Sequence, residues 1–259
     1  MFFKRIKRWY RQWQLCRHRV PIMLWKRVVK DALSHHHLSR MERHQLRVLS
    51  SLFLQDKTIN GAGGQEITDY IRVVIASQAC LLILRLGLNH YDGWHEIILY
   101  PDSFVVTRKQ SDGMGLVHER NSVLGGEAWG KGPLILSWND ARPRPRVPGS
   151  DDNVILHEFA HKLDMLNGAA NGMPPLHSSM DRQTWTDVLS HDYAQLLDQL
   201  NHRHHTALDA YGAENPAEFF AVASETFFEA PRHLHRHLPK LYQQLVLYYR
   251  QDPLKRQGR

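Results

Sequence analysis

The stretch His157-Glu158-Phe159-Ala160-His161 decides how this chain of 259 residues is read. On a helix, residues four apart share a face. Two imidazoles at that spacing reach one zinc ion, and the glutamate between them is placed to act as general base. Ser150 reads as the N-cap, Asp151 and Asp152 bring negative charge to the first turn, and Asn167-Gly168 is a stop signal. These signals predict a helix over about residues 151–166. Ile155, Leu156, Phe159, Leu163 and Leu166 then gather on one side, with His157 and His161 opposite. An apolar back for the core and a ligand face for a cleft is the layout a metal-bearing helix requires. Asp164 falls close in angle to the histidines. It reads either as a partner for the second ring nitrogen of a ligand histidine or as a solvated carboxylate near the helix end.

The third ligand has to come from elsewhere. The longer pattern H-E-x-x-H-x-x-G-x-x-H fails, because Asp164 stands at its glycine position and Asn167 at its last histidine. A carboxylate from a later helix is the other common solution. Asn215-Pro216-Ala217-Glu218-Phe219-Phe220 opens such a helix, with Asn215 as N-cap and Pro216 as first helical residue, and Pro231 stops it near Ala230. Glu218, Glu225 and Glu229 share one face, and Phe220, Ala223 and Phe227 share the opposite one. Glu218 is a ligand candidate, or closes a capping box with Asn215. Glu225 is the rival ligand, or part of a wet face, and Glu229 reads as solvated.

These residues resemble the zinc peptidase family of the Mlc titration factor A, whose catalytic domain is similar to that of anthrax lethal factor. The likeness is carried by His157 to Asp164, by Tyr211-Gly212 seven residues ahead of Glu218, and by the segment from Asn215 to Glu229. Gly63-Gly64-Gln65-Glu66-Ile67-Thr68, Gln78-Ala79-Cys80-Leu81-Leu82, Tyr100-Pro101 and Gly126-Glu127-Ala128-Trp129 add to it. It covers about residues 55 to 232. The resemblance implies an α+β fold, a mainly helical zincin-like metallopeptidase domain with a small sheet over the active-site helix. It favours Glu218 over Glu225 as third ligand beside His157 and His161, with one Zn2+ per chain. It gives Glu158 the role of base and Tyr211 that of transition-state stabiliser. It suggests aminopeptidase-like cleavage of short peptide substrates. The family's name also implies a second class of function, a regulator that sequesters an Mlc-like transcriptional repressor.

Length is ample for one large domain, and 42% hydrophobic residues is ordinary for a globular protein. The net charge of +7 is unevenly placed. Residues 1–30 hold ten Lys or Arg and no acid, so the other 23 basic residues face all 26 acids, a net −3. The expected organisation is a basic amphipathic arm over 1–30 and a single metallopeptidase domain over 31–259. Ile6, Trp9, Trp13 and Cys16 follow helical spacing among Lys4, Arg5, Lys7, Arg8 and Arg11. Such an arm suits an anionic membrane surface or an acidic partner, or packs its tryptophans on the main domain. It lacks the apolar core of a secretory signal. Specific nucleic-acid binding is not expected, because the basic excess ends with the arm and no binding motif follows. The glycine loop Asn60 to Gly64 lacks the Lys-Ser/Thr ending of a phosphate loop. Two cysteines, Cys16 and Cys80, form no disulfide framework, which points to a reducing, cytoplasmic setting.

Helices are also expected over 31–56, 67–86, 181–200 and 238–249, a strand or a bent pair over 96–108, and strands over 116–123 and 133–138. The charges at Arg72 and Arg85 make 67–86 a core helix, not a membrane span. Gly126 to Trp129 is read as a cleft rim able to bind a peptide by main-chain hydrogen bonds. His35-His36-His37, His202, His204, His205, His233, His235 and His237 are read as surface or turn residues.

Overall fold

Most of the described helices begin where a side chain takes up a first free amide. The computed structural model describes residues 19–102, 104–111, 117–124, 126–128, 132–144 and 152–258. In chain order they form α1 (Ile22–Ala32), a 3-10 turn at Ser34–His36, α2 (Arg40–Asp56), β1 (Thr58–Gly61) and α3 (Asp69–Leu82). Then come β2 (Glu96–Tyr100), β3 (Phe104–Ser111), β4 (Val117–Leu124), β5 (Gly126–Ala128), β6 (Leu134–Ser137) and the single turn α4 (Trp138–Ala141). The last third is helical: α5 (Val154–Asp164), α6 (Arg182–Asn201), a 3-10 turn at Ala210–Ala213, α7 (Pro216–Glu229), α8 (Pro231–His237), α9 (Pro239–Tyr249) and α10 (Pro253–Gln257). Ser39 and Glu42 close a reciprocal capping box on α2, and Thr68 and Asp181 cap α3 and α6 through Ile71 and Thr184.

The main sheet has the order β1-β2-β6-β5. β1, β2 and β6 run parallel, in the register Ile59↔Ile97 and Ile97↔Leu134, and β5 closes one edge antiparallel to β6. Ile97, Leu99, Leu134 and Leu136 alternate into the core, which fixes the register: a slip of one residue would turn all four outward. β3 and β4 pair as a separate antiparallel hairpin, from Phe104↔Leu124 to Ser111↔Val117. The segment over 96–108, expected as a strand or a bent pair, is two strands in different sheets. β1 begins ahead of what the sequence presents as a glycine loop.

α3 fills the connection between the parallel strands β1 and β2, and is buried on every side from Val73 to Leu82. Among the described residues no helix is long and apolar enough to cross a membrane. Of the segment read as a basic arm, residues 1–18 lie outside the described residues. The rest is stitched to the core: Val20 donates its amide to Ser51 Oγ, the Arg47 guanidinium binds the Val20 carbonyl, and Trp25 and Val28 are buried. Among the described residues, the part of the expected arm from Val20 onward is thus packed on the domain.

The back of α5 rests on an aromatic nest. The ring of Phe159 meets Tyr91 at 5.1 Å, Phe53 at 5.7 Å and Trp94 at 5.8 Å. Tilted and edge-on pairs of this kind add attraction to the area they bury. Beneath them the buried Lys57 ammonium donates to the carbonyls of Tyr91 and Trp94, so the loop carrying two of the rings is fixed by charge-assisted bonds. Truncating Phe159 leaves a cavity that all three neighbouring rings line. Phe159→Ala should lower the free energy of unfolding by about 3–5 kcal/mol. Denaturant titration checks this, and a loss below about 1 kcal/mol would contradict the nest's role.

Candidate metal centre

α5 begins at Val154, three residues later than expected, because Asn153 is the cap that works. Its Oδ1 accepts from the Leu156 amide at 3.1 Å. Ser150, the expected cap, and Asp151, expected in the first turn, lie outside the described residues. Asn153 also ties the helix start to its neighbours: its backbone amide donates to Glu225, and its Nδ2 donates to Gln78 Oε1 at 2.6 Å and Glu229 Oε1 at 2.8 Å. α7 starts where the sequence says it should. Asn215 Oδ1 accepts from the amides of Ala217 and Glu218, with Pro216 at the first helical position.

The two helices cross so that three donor atoms converge. Glu218 Oε2 lies 3.0 Å from His157 Nε2 and 3.0 Å from His161 Nε2, and the two nitrogens are 3.2 Å apart. All three residues are buried. Ligands about 2.0–2.2 Å from a tetrahedral zinc stand roughly 3.3 Å from one another, so this set has the dimensions of one face of such a site. Glu218 uses its amide, not its carboxylate, in the helix cap, and its side chain is turned to the histidines.

Glu225 sits behind this cluster. Its Oε2 is 3.3 Å from His157 Nδ1 while its Oε1 accepts from the Asn153 amide. A proton on Nδ1 facing Glu225 leaves the Nε2 lone pair facing Glu218. The two glutamates, rivals in the sequence, therefore occupy opposite sides of one imidazole. Burial disfavours the His157 imidazolium, but the hydrogen bonds to Glu218 and Glu225 outweigh it and raise the pKa to about 10. Burial likewise opposes the Glu218 carboxylate, and its two histidine contacts reverse this and hold it well below the usual range. Glu225 is pushed up by burial.

Glu158 is buried on the same helix, one turn before Lys162. Lys162 donates to the Gly132 carbonyl at 3.0 Å and lies 4.7 Å above the Trp94 ring. Its pKa falls to about 8 through burial, which the charge of Glu158 partly counters. Tyr211 is fixed at the start of its turn by its amide, which donates to Asp209 Oδ1 at 2.7 Å, and its ring centre lies 5.7 Å from that of His157. β5, at the sheet edge, packs along α5; Trp129 of the expected rim lies outside the described residues.

Asp164 is neither solvated nor hydrogen-bonded to a histidine among the described residues. Its Oδ2 accepts from the amides of Asn171 at 2.8 Å and Gly172 at 2.7 Å. Gly172 has φ +76°, and a Cβ there would stand 2.5 Å from the Pro216 carbonyl oxygen. Asp164 thus folds the loop after α5 back against the first turn of α7, next to Glu218. Sequence reasoning missed Asn153 and Gly172; the three-residue spacing from Asn153 to Leu156 was the available signal for the first. Glu229, read as solvated, is buried against Asn153 and His35.

An α+β domain in which two crossing helices bring an imidazole pair and a carboxylate to one point has the form of a metallopeptidase domain. The chain belongs to the glucose-regulated metallo-peptidase M90 family, whose model matches residues 6–250. It is 42% identical over 232 residues to an uncharacterized protein of a Synechocystis strain, covering 89% of this chain and 84% of that one. It is 38% identical over 222 residues to Mlc titration factor A of Yersinia pestis and of Yersinia pseudotuberculosis, covering 85% of this chain and 81% of theirs. Membership implies a metal cofactor, and the convergent His157, His161 and Glu218 atoms fit one.

Two outcomes follow for metal binding. Glu225→Gln removes the negative partner of His157 Nδ1 but no proposed ligand atom. It should weaken metal affinity about 10–100-fold while leaving the stoichiometry at saturation unchanged. Chelator competition measures this, and a lost equivalent would make Glu225 a direct ligand. The raised pKa of His157 sets the pH dependence. Without metal, the imidazole keeps its proton up to about pH 10, and that proton must leave for Nε2 to bind. Apparent affinity should therefore rise with pH, by up to about tenfold per unit between about pH 7 and 9. A flat profile in the same competition assay would contradict this.

Proposed function

We propose that this protein is a zinc-dependent peptidase that uses one zinc held by His157, His161 and Glu218. The observation that carries this reading is the convergence of their three donor atoms within 3.2 Å, on two helices whose starts are independently capped. A zinc ion bound there supplies a Lewis acid for the scissile carbonyl and lowers the pKa of water. Glu158 takes the proton of the attacking water onto its carboxylate and passes it to the leaving amine. Tyr211, beside the His157 ring, donates its hydroxyl proton in a hydrogen bond to the developing oxyanion. Glu225 holds His157 in the tautomer that presents Nε2. β5 offers an edge to which an extended peptide can add as a strand, which suits short peptide substrates and an aminopeptidase-like mode.

A second reading rests on the relatives. Their name, Mlc titration factor A, describes proteins that titrate Mlc. By that analogy this chain acts on an Mlc-like transcriptional repressor, with peptidase activity secondary to the grip on its partner. A protein that grips a transcriptional repressor would act in the cytoplasm. The basic segment over 1–30 is then a contact for an acidic partner or an anionic membrane surface, sensitive to salt.

Substitutions separate base, ligand and hydrogen-bond donor. Glu158→Gln keeps shape but cannot accept a proton, so zinc should be retained and turnover nearly lost. Glu218→Gln should lose turnover together with the zinc equivalent held by His157, His161 and Glu218. Tyr211→Phe should keep zinc and lose roughly 10²–10³ in kcat with little change in KM. Elemental analysis alongside hydrolysis of aminoacyl and internally quenched peptides checks all three. Full zinc retention in Glu218→Gln would overturn the ligand assignment. Repressor binding that survives in Glu158→Gln would separate the two functions.

A further inference from the structure

The structure holds a second convergence of metal-ligand types, at the other end of α7. Glu229, in its last turn, meets the tandem histidines of the 3-10 turn at Ser34–His36. Glu229 Oε2 lies 2.9 Å from His35 Nε2, and Glu229 Oε1 lies 3.7 Å from His36 Nε2. One donor atom from each residue falls within 4.8 Å of the others. We propose that His35, His36 and Glu229 form a binding site for a second divalent ion of the zinc class, separate from the His157–His161–Glu218 cluster.

Three features favour a metal over a plain ion pair. The first is orientation. Two adjacent histidines ordinarily diverge along a chain, yet both turn Nε2 toward one carboxylate, with ring centres 3.9 Å apart. The contact at His35 is close but not aligned as an N–H···O bond, so His35 Nε2 makes no hydrogen bond among the described residues. That is the relation expected of two atoms that share a third partner. The second is burial with an approach. The side chains of His36 and Glu229 are 1% and 6% exposed, while that of His35 is 23% exposed. His35 and Glu229 line a cavity of about 560 Å³ together with Asp31, Asp140, Asp152, Arg142 and Arg144, in which Asp31 pairs with Arg27 and Asp140 with Arg144. A cation can reach the three donors through this opening and complete its shell with water. The third is support. Asn153 Nδ2 donates to Glu229 Oε1 at 2.8 Å and is itself braced on Gln78, which orients the carboxylate as outer partners do in metal sites. Two imidazoles and a carboxylate select zinc-like ions over calcium or magnesium. The ion would clamp the segment after α1 to the C-terminal end of α7, joining parts of the chain nearly 200 residues apart.

The experiment is equilibrium dialysis of demetallated full-length protein against Zn2+ with a weak competing chelator, with bound zinc read by elemental analysis. Wild type should hold two equivalents. His161→Ala should hold one, and adding Glu229→Gln or His35→Asn to it should leave none. Glu229→Gln alone should keep the equivalent at the His157–His161–Glu218 cluster. Glu229→Gln can still accept from Asn153, and His35 is the most exposed of the three, so both variants should fold, as circular dichroism verifies. Cobalt bound to His161→Ala should give visible absorption bands that His35→Asn removes. One equivalent in wild type, or no change with either variant, overturns the proposal. A fall with Glu229→Gln but none with His161→Ala would leave this site standing and count against the other.

Discussion

A carboxylate buried between two imidazoles is the constraint on which the structure turns. Removing Glu218 and two histidines from water is costly unless each is paired, and breaking one partner of such a set strands the others. The protein meets this by over-determining the positions. Asn215 fixes the start of α7, Asn153 fixes the start of α5, Glu225 fixes the far nitrogen of His157, and Phe159 holds the back of α5 on its aromatic nest. None of these residues belongs to the convergent set. Each limits the freedom of one that does, so that the donor atoms stand together.

The loop after α5 solves a related problem. Asp164 follows His161 by one turn and gathers two amides of that loop, bringing Gly172 beneath the carbonyl of Pro216. Trp185 of α6 donates to the Gly172 carbonyl from the other side. The crossing of α5 and α7 is thereby set by main-chain hydrogen bonds as well as by side-chain packing, and only glycine tolerates both the backbone angle and the proximity.

Much of the convergent set was legible because its signals are local. The spacing of His157 and His161 is a property of one helix, and Asn215-Pro216 with Pro231 marks the start of α7 to the residue and its end to within one. The start of α5 was misjudged because four polar residues in a row compete to cap it, and the choice of Asn153 depends on Gln78, Glu225 and Glu229, far away in sequence. Periodicity put three glutamates on one face of α7 but is silent on what that face meets. Glu229 therefore read as wet, although the histidine turn lies against it. β1 escaped notice because only Ile59 of its four residues is buried, and its pairing with β2 spans 38 positions, as from Thr58 to Glu96.

The spacing along α7 has a consequence for how such a chain can vary. Glu218, Glu225 and Glu229 answer to three different partners, His157, Asn153 and His35, from a single rigid rod. Adding or deleting one residue within α7 would rotate everything beyond it by about 100° and swing the later carboxylates away from their partners. Substitutions on the opposite, aromatic face can be absorbed by repacking, but a change of length cannot. Length changes are thus confined to the joints of the fold, such as the exposed turn between α6 and the Tyr211 segment, and the rod itself behaves as a fixed ruler.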